Sequence, residues 1–401
     1  MLRRSLFFMS VGLLMSWCGA SFAQTGAADR VGNQLLTGQN AAKANAGTVA
    51  IMTTRNLGSP FMQMTLDLST LLDSGEHFED MRVILMGARG KVQNLWDIMY
   101  LKGVDAAFVQ ADTLEYLRRD PRYAGKFASV QRNIRYIAVM PPEEVHIVAR
   151  REIRSLRDLA GKTISINAKG TGSSVVGTLL FERLKIPARL VHLDTRRAIA
   201  QMKAGEIHAH INVLGVPARP VARVKSEGQL HLLEIPYVAE LGDLYVPSKF
   251  TSDDYPELVP QGQTVRTIAA RNVLAVYNWP SDNPRYRKVA RFVDALFSRF
   301  GELQQKGFHP KWKDINLAAT IPGWTRFGAA QDWLDKNRPA PVAAAGSRST
   351  SALSQQEIEV REQLRAFLES QQRREPNDAE VNALFNEFIR WRIQEGGPGA
   401  Q

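Results

Sequence analysis

The segment 163–184, TISINAKGTGSSVVGTLLFERL, gathers the groups needed to hold a small anion. Its spacing predicts a buried strand, a loop with Gly170 and Gly172, and a helix opened by Ser173 and Ser174. Glycines let a ligand approach backbone N–H groups, and the positive end of a helix favours negative charge. The same residues also make a plain capped turn, in which Ser173 serves only as a cap. Both readings stand on residue types alone. Arg89, in the loop after a strand expected at 81–86, is the best-placed cation for a bidentate carboxylate contact, with plain solvation as its alternative. Gln110 and Asp112 end a strand, where ligands gather in open α/β sheets. Asp112 also suits the N-cap of a helix at 113–118, which gives Gln110 the better claim on a ligand. Loops at 56–59, with Asn56 and Ser59, and at 87–94 complete a set of four at strand ends.

Other chemistries find incomplete sets. His208 and His210 lie two apart, so a strand would put both imidazoles on one face, but no third metal ligand stands nearby. His146 within EEVHIVAR reads as a packed strand residue. A dinucleotide fingerprint would need glycine where the chain has Val175, and a P-loop ending at Thr163 would need glycine at Leu156. No GxSxG nucleophile elbow occurs. The expectation is a binding protein with no cofactor, no metal and no enzymatic activity.

Alternating patterns position these loops. Apolar β-prone runs at 48–54, 81–86, 106–109, 145–149, 163–167, 190–193, 208–213 and 265–276 interleave with helical patterns at 61–72, 92–101, 113–118, 175–184, 196–204 and 286–300. That order implies βαβ crossovers, an open, mainly parallel sheet and an α/β fold. The runs at 143–150 and 272–278 flank the middle block as two crossing strands would. Lobe one is therefore expected at 47–149 and 271–337, and lobe two at 150–270. The Pro-, Ala- and Ser-rich stretch 338–353 reads as a linker. Residues 354–401 follow as a helical tail with apolar stripes over 355–371 and 378–394.

At 44% hydrophobic and 23% charged, the 401 residues exclude a disordered or collagen-like chain. The single cysteine, Cys18, falls in an N-terminal pattern of Arg3 and Arg4, an apolar run and a small-x-small ending at Ala23. That is a secretory signal peptide over 1–23, with 24–46 a mobile mature N-terminus. Bulky Trp17 argues against a lipid anchor on Cys18. Cleavage would leave no cysteine, which removes thiolate nucleophiles and iron–sulfur clusters. It would also lower the formal charge of +11 by two. The remaining cations come as scattered pairs, such as Arg118 with Arg119 and Arg196 with Arg197, which reads as solvated surface and no nucleic-acid partner.

Several segments in order carry a resemblance: GKVQNL at 90–95, AAFVQAD at 106–112, EEVHIVAR at 143–150, IRSLRDLAGKTISINAKGTGSS at 153–174, AIAQMKAGEIHAHINVLGVP at 198–217 and HP at 309–310. Over about residues 48–336 the chain resembles the TAXI family of solute-binding proteins that serve TRAP-type transporters. The resemblance implies a two-lobed periplasmic binding protein, type II-like, with a ligand cleft between α/β lobes. It implies a small organic solute, often a carboxylate such as glutamate, passed to integral membrane TRAP permease subunits. Matched motif by motif, it points to Asn94, Gln110, Asp112, Gly170, Thr171, Gly172, Ser173, Gly215, Val216 and Pro217. The family's loop of the type GGTYYPLG is missing. Residues 53–61 contain no tyrosine, so the solute is not inherited from better-known members. A ligand-sensing periplasmic subunit of a membrane signalling receptor is the alternative role, favoured by the helical tail.

Overall fold

A computed structural model describes residues 47–54, 59–73 and 81–337. The expected signal peptide, the 24–46 segment, Asn56, and the linker and tail over 338–401 lie outside the described residues.

Ten strands form one mixed sheet. They are β1 (Thr48–Met52), β2 (Arg82–Met86), β3 (Ala106–Gln110), β4 (Ile134–Arg150), β5 (Thr163–Ser165), β6 (Arg189–Val191), β7 (Ala209–Leu214), β8 (Leu230–Leu232), β9 (Tyr245–Thr251) and β10 (Thr264–Tyr277). The helices are α1 (Pro60–Leu72), α2 (Lys91–Tyr100), α3 (Thr113–Arg119), α4 (Ala124–Asn133), α5 (Gly172–Arg183), α6 (Thr195–Lys203), α7 (Arg219–Ala222), α8 (Pro284–Ser298), α9 (Phe300–Leu303) and α10 (Gly328–Lys336). None of the described helices is long and apolar enough to cross a membrane.

The strand order β2-β1-β3-β10-β4-β7-β5-β6, with β8 on β4 and β9 on β10, divides the sheet in two. The parallel set β1, β2 and β3 lies at one end, and the parallel set β5, β6 and β7 at the other. Such strands are covered on both faces, which is why TVAIM and AAFVQ are nearly unbroken apolar runs. Antiparallel β4 and β10 pass between the sets. The first part of β4 pairs with β10, from Ile134 opposite Tyr277 to Glu144 opposite Ala269. Pairing with β7 begins at Glu144, which is opposite Leu214, and runs on to Ala149. Pro141 and Pro142, which cannot donate to a ladder, fall in the gap in the β10 register between Met140 and Glu143. On β10 the matching register shift lies between Ala270 and Asn272.

Two α/β lobes result, each with helices on both sheet faces. In lobe one, Phe61, Met64 and Leu68 of α1 pack with Phe292 and Phe297 of α8 on one side. Val92, Leu95 and Ile98 of α2 pack on the other. Helix α5 belongs to both lobes. Its Val176 and Leu180 enter the core of lobe two, while Val175 and Leu179, one position round, enter that of lobe one. Burying one such side chain is worth about 1.5–3 kcal/mol, so packing as well as hydrogen bonding holds the lobes together.

Candidate functional site

A cleft of about 290 Å³ opens where the lobes meet. Lobe one contributes Thr53, Ser59, Phe61, Arg89, Gly90, Lys91 and Asn94, and lobe two contributes Asn167, Thr171, Gly172, Ser173 and Asn212. Glu143, beside the prolines of β4, stands in the wall between them.

Glycine makes this geometry possible. A Cβ at Gly90 would lie 2.5 Å from the carbonyl oxygen of Gly170, and the Val92 N–H donates to that same oxygen at 3.2 Å. The loops of the two lobes therefore touch across the cleft. A Cβ at Gly172 would collide with Oε1 of Gln110. Gly170 itself has φ +77°, a left-handed conformation that favours glycine.

The 170–174 loop caps itself. Oγ1 of Thr171 accepts the Ser174 N–H at 3.3 Å and donates to the Ala168 carbonyl at 2.7 Å. Thr171, not Ser173, is the cap of α5. The Ser173 hydroxyl accepts the Val213 N–H at 3.0 Å and ties the loop to the end of β7. The start of α1 at Ser59, of α2 at Gly90 and of α5 at Thr171 all border the cleft. Three positive helix ends thus share one small volume.

Two charged residues not singled out by sequence stand at its base. The Lys91 ammonium lies 3.2 Å from a Glu143 carboxylate oxygen and 3.2 Å from Oδ1 of Asn272, and 4.2 Å above the Phe61 ring. Glu143 is buried and Lys91 nearly so. Arg89 is exposed at the mouth.

Several buried polar atoms on these walls have no partner: Oγ1 of Thr53, Oδ1 of Asn94 and the Asn212 amide nitrogen. The side-chain orientations are set by other bonds. The Asn94 amide nitrogen donates to the Phe108 carbonyl at 2.8 Å, which leaves its oxygen over. The Asn212 oxygen accepts from the Asn167 amide at 3.0 Å and from the Thr195 hydroxyl at 3.2 Å, which leaves its NH₂ over. Buried polar groups are nearly always satisfied, so a cluster of orphans in a cleft points to a ligand.

Asp112 does not line this cleft. Its carboxylate accepts from the Gln110 amide at 2.8 Å and the Tyr245 hydroxyl at 3.0 Å, and it makes no cap bond to α3. Burial pushes its carboxyl up to about 6, against those two hydrogen bonds. Gln110 lies directly beneath Gly172, its Oε1 also unpartnered. Gly215, Val216 and Pro217 line a neighbouring hollow of about 250 Å³ with Pro60 and Lys311. It shares only Ser59 and Leu214 with the cleft.

The histidines are built into the scaffold. His146 sits between the Glu144 carbonyl and the Tyr255 hydroxyl, and burial holds its imidazole down at about 4. His210 lies between the hydroxyls of Ser165 and Thr195 and is also pushed down to about 4 by burial. Among the described residues, no three His, Cys, Asp or Glu side chains gather as a metal site.

Two α/β lobes joined by crossing strands and meeting over a polar cleft define a periplasmic-binding-protein-type ligand-binding domain. The chain belongs to the NMT1-like family, whose pattern matches residues 54–324. Among solved structures it is similar to the periplasmic domain of BvgS from B. pertussis, at 12% identity and TM-score 0.37, covering 65% of this chain. It spans only 42% of that protein. It is also similar to the amino acid ABC transporter substrate-binding protein AbpA from Streptococcus pneumoniae, bound to L-arginine, at 13% identity, 68% and 98% coverage and TM-score 0.35. A third likeness is to the periplasmic aliphatic sulphonate binding protein SsuA from Escherichia coli, at 13% identity, 72% and 78% coverage and TM-score 0.36.

Proposed function

We propose that this chain is a periplasmic solute receptor of the TAXI type. It binds a small anionic organic solute, an organic acid or acidic amino acid, and delivers it to TRAP-type membrane permease subunits. The carrying observation is the cleft itself. Three helix starts and Arg89 favour negative charge, while buried unpartnered oxygens and an amide await a solute's hydrogen bonds. The roles assigned are anion contact for Arg89, Ser59, Thr171, Gly172 and Ser173, and hydrogen bonding for Asn94. Gln110 supports the Gly172 loop from beneath. Catalysis is not part of this reading, nor is a cofactor. A signal peptide cleaved near Ala23 accounts for the periplasmic location. Lobe one is taken as about 47–149 with 271–337, and lobe two as about 150–270.

A second reading, a ligand-sensing subunit of a membrane signalling receptor, is favoured by the amphipathic pattern over 355–394. Thermal-shift screening of the mature protein against organic acids and amino acids tests the solute class. Stabilisation by a carboxylate, confirmed by calorimetry, supports it; stabilisation by neutral or cationic compounds alone sinks it. Deleting 345–401 separates the roles. A receptor for a permease should keep solute uptake, and a sensor should keep binding but lose signalling.

A further inference from the structure

A hollow larger than the cleft lies elsewhere among the described residues. On the surface of lobe two, a groove of about 740 Å³ runs between the turn Leu156–Leu159, the end of α5 and the chain joining β8 to β9. Its floor is apolar, from Leu156, Leu184, Ile186, Pro236 and Val238. Tyr237, 46% exposed, stands next to it in the chain. Its walls carry five cations, Arg154, Arg157, Arg183, Lys185 and Arg266, against the two acids Glu234 and Glu240.

Those cations are unequally spent. Arg266 pairs with Glu234 at 2.5 Å, and Arg183 with Asp243 at 2.6 Å. Arg154, Arg157 and Lys185 enter no ion pair among the described residues. An apolar floor between unneutralised cations from separate segments is complementary to something apolar on one face and acidic at its flanks. The surface is concave, so it suits an inserted segment better than a flat lipid headgroup layer. We propose that this groove docks an acidic amphipathic segment of a partner protein.

The groove is also placed to report on the cleft. Helix α5 begins at Gly172 in the cleft and ends at Arg183 in the groove wall. Arg183 also lies 3.4 Å from Glu115 of lobe one. A segment seated here would touch a side chain that bridges the lobes.

The test uses the full mature protein and a fluorescent helical peptide with leucines along one face and glutamates flanking them. Fluorescence anisotropy should show saturable binding that weakens with added salt. The double variant Arg154→Glu/Arg157→Glu should bind about tenfold or more weakly, with Tm unchanged. Val238→Asp should weaken binding similarly without touching the cations. A peptide of the same composition with its leucines scattered should bind about tenfold less well. Equal binding by the scattered peptide, equal binding by the arginine variant, or no binding at all overturns the proposal. So does adsorption to phosphatidylglycerol vesicles through the same arginines with no peptide binding.

Discussion

The two walls of the cleft are built on different principles. Lobe one brings charge and side-chain acceptors: Arg89 at the mouth, Lys91 against Glu143, and the free oxygens of Thr53 and Asn94. Lobe two brings the unpartnered Asn212 amide together with backbone and hydroxyls, in a glycine loop whose Thr171, Ser173 and Ser174 side chains are already bonded within lobe two. The contrast assigns them separate work. Lobe one can select a solute by charge, whereas the lobes can meet over it only because Gly90 and Gly172 admit the approach. Charge selection tolerates small movements; steric closure does not.

The sharpest break in that contrast is expected at Lys91. Lys91→Met would leave the Glu143 carboxylate buried beside the crossing strands without its cation. Removing one partner of such a pair should cost about 3 kcal/mol of stability, and adding Glu143→Gln should restore most of it. Denaturant unfolding of the single and double variants measures both. A single variant as stable as wild type would show that the pair does not hold the base of the cleft.

Gly172→Val comes next and acts on the other wall. The new side chain would meet Gln110, so the lobes should be held apart rather than the loop merely blocked. Overpacking of this kind costs about 1–3 kcal/mol, here charged against closure and so against solute affinity. Small-angle scattering should show no compaction on adding a solute that compacts the wild type. Full compaction would mean that Gln110 simply moves aside.

The parallel strands and the loops at their ends were legible in the sequence, because strands covered on both faces are short apolar runs. The first half of β4 was not. Pro141 and Pro142 break the strand pattern, and only the register shift of the β4–β10 ladder between Met140 and Glu143 gives them a place. Lys91 reads as an ordinary solvated lysine at a helix start, since its burial arises only when Glu143 and Asn272 arrive from distant sequence. The Gly170 and Gly172 loop was visible from its residue types. The roles of its neighbours were not: a threonine three residues before Ser174 competes with the serines for the cap. Asp112 misled for a related reason. Its spacing suits a cap, but Tyr245 of lobe two claims the carboxylate.

That Asp112–Tyr245 contact spans the lobes and yields a pH-dependent prediction. The native carboxyl, at about 6, lies above its unfolded value of 3.8, so the native state binds a proton more tightly. Stability from this group is therefore present below about pH 4, is lost as pH rises through 6, and stays lost above it. Asp112→Asn removes the penalty. The variant should match wild type near pH 4 and exceed it by about 2–3 kcal/mol at neutral pH. Unfolding curves at both pH values decide it, and a variant less stable at neutral pH would mean that the anion is needed by its two donors.

The smallest effect should come from Arg89, and it bears most directly on charge selection by lobe one. Arg89 is exposed and sits at the mouth, so a solute carboxylate would meet it partly in water. A hydrogen bond to a charged partner is worth about 1.5–3 kcal/mol, and exposure places this one at the lower end. Arg89→Ala should therefore weaken an anionic solute by about 1.5 kcal/mol, roughly tenfold, while leaving Tm unchanged. The loss should shrink as salt is raised, because screening acts on exposed charges first. Arg89→Lys should recover part of the affinity as a point charge without the bidentate fork. Calorimetry at two ionic strengths separates the outcomes. Unchanged affinity in Arg89→Ala would move charge selection from the mouth to Lys91 and the helix ends. A loss that salt does not alter would instead mark Arg89 as drawn inside the closed cleft.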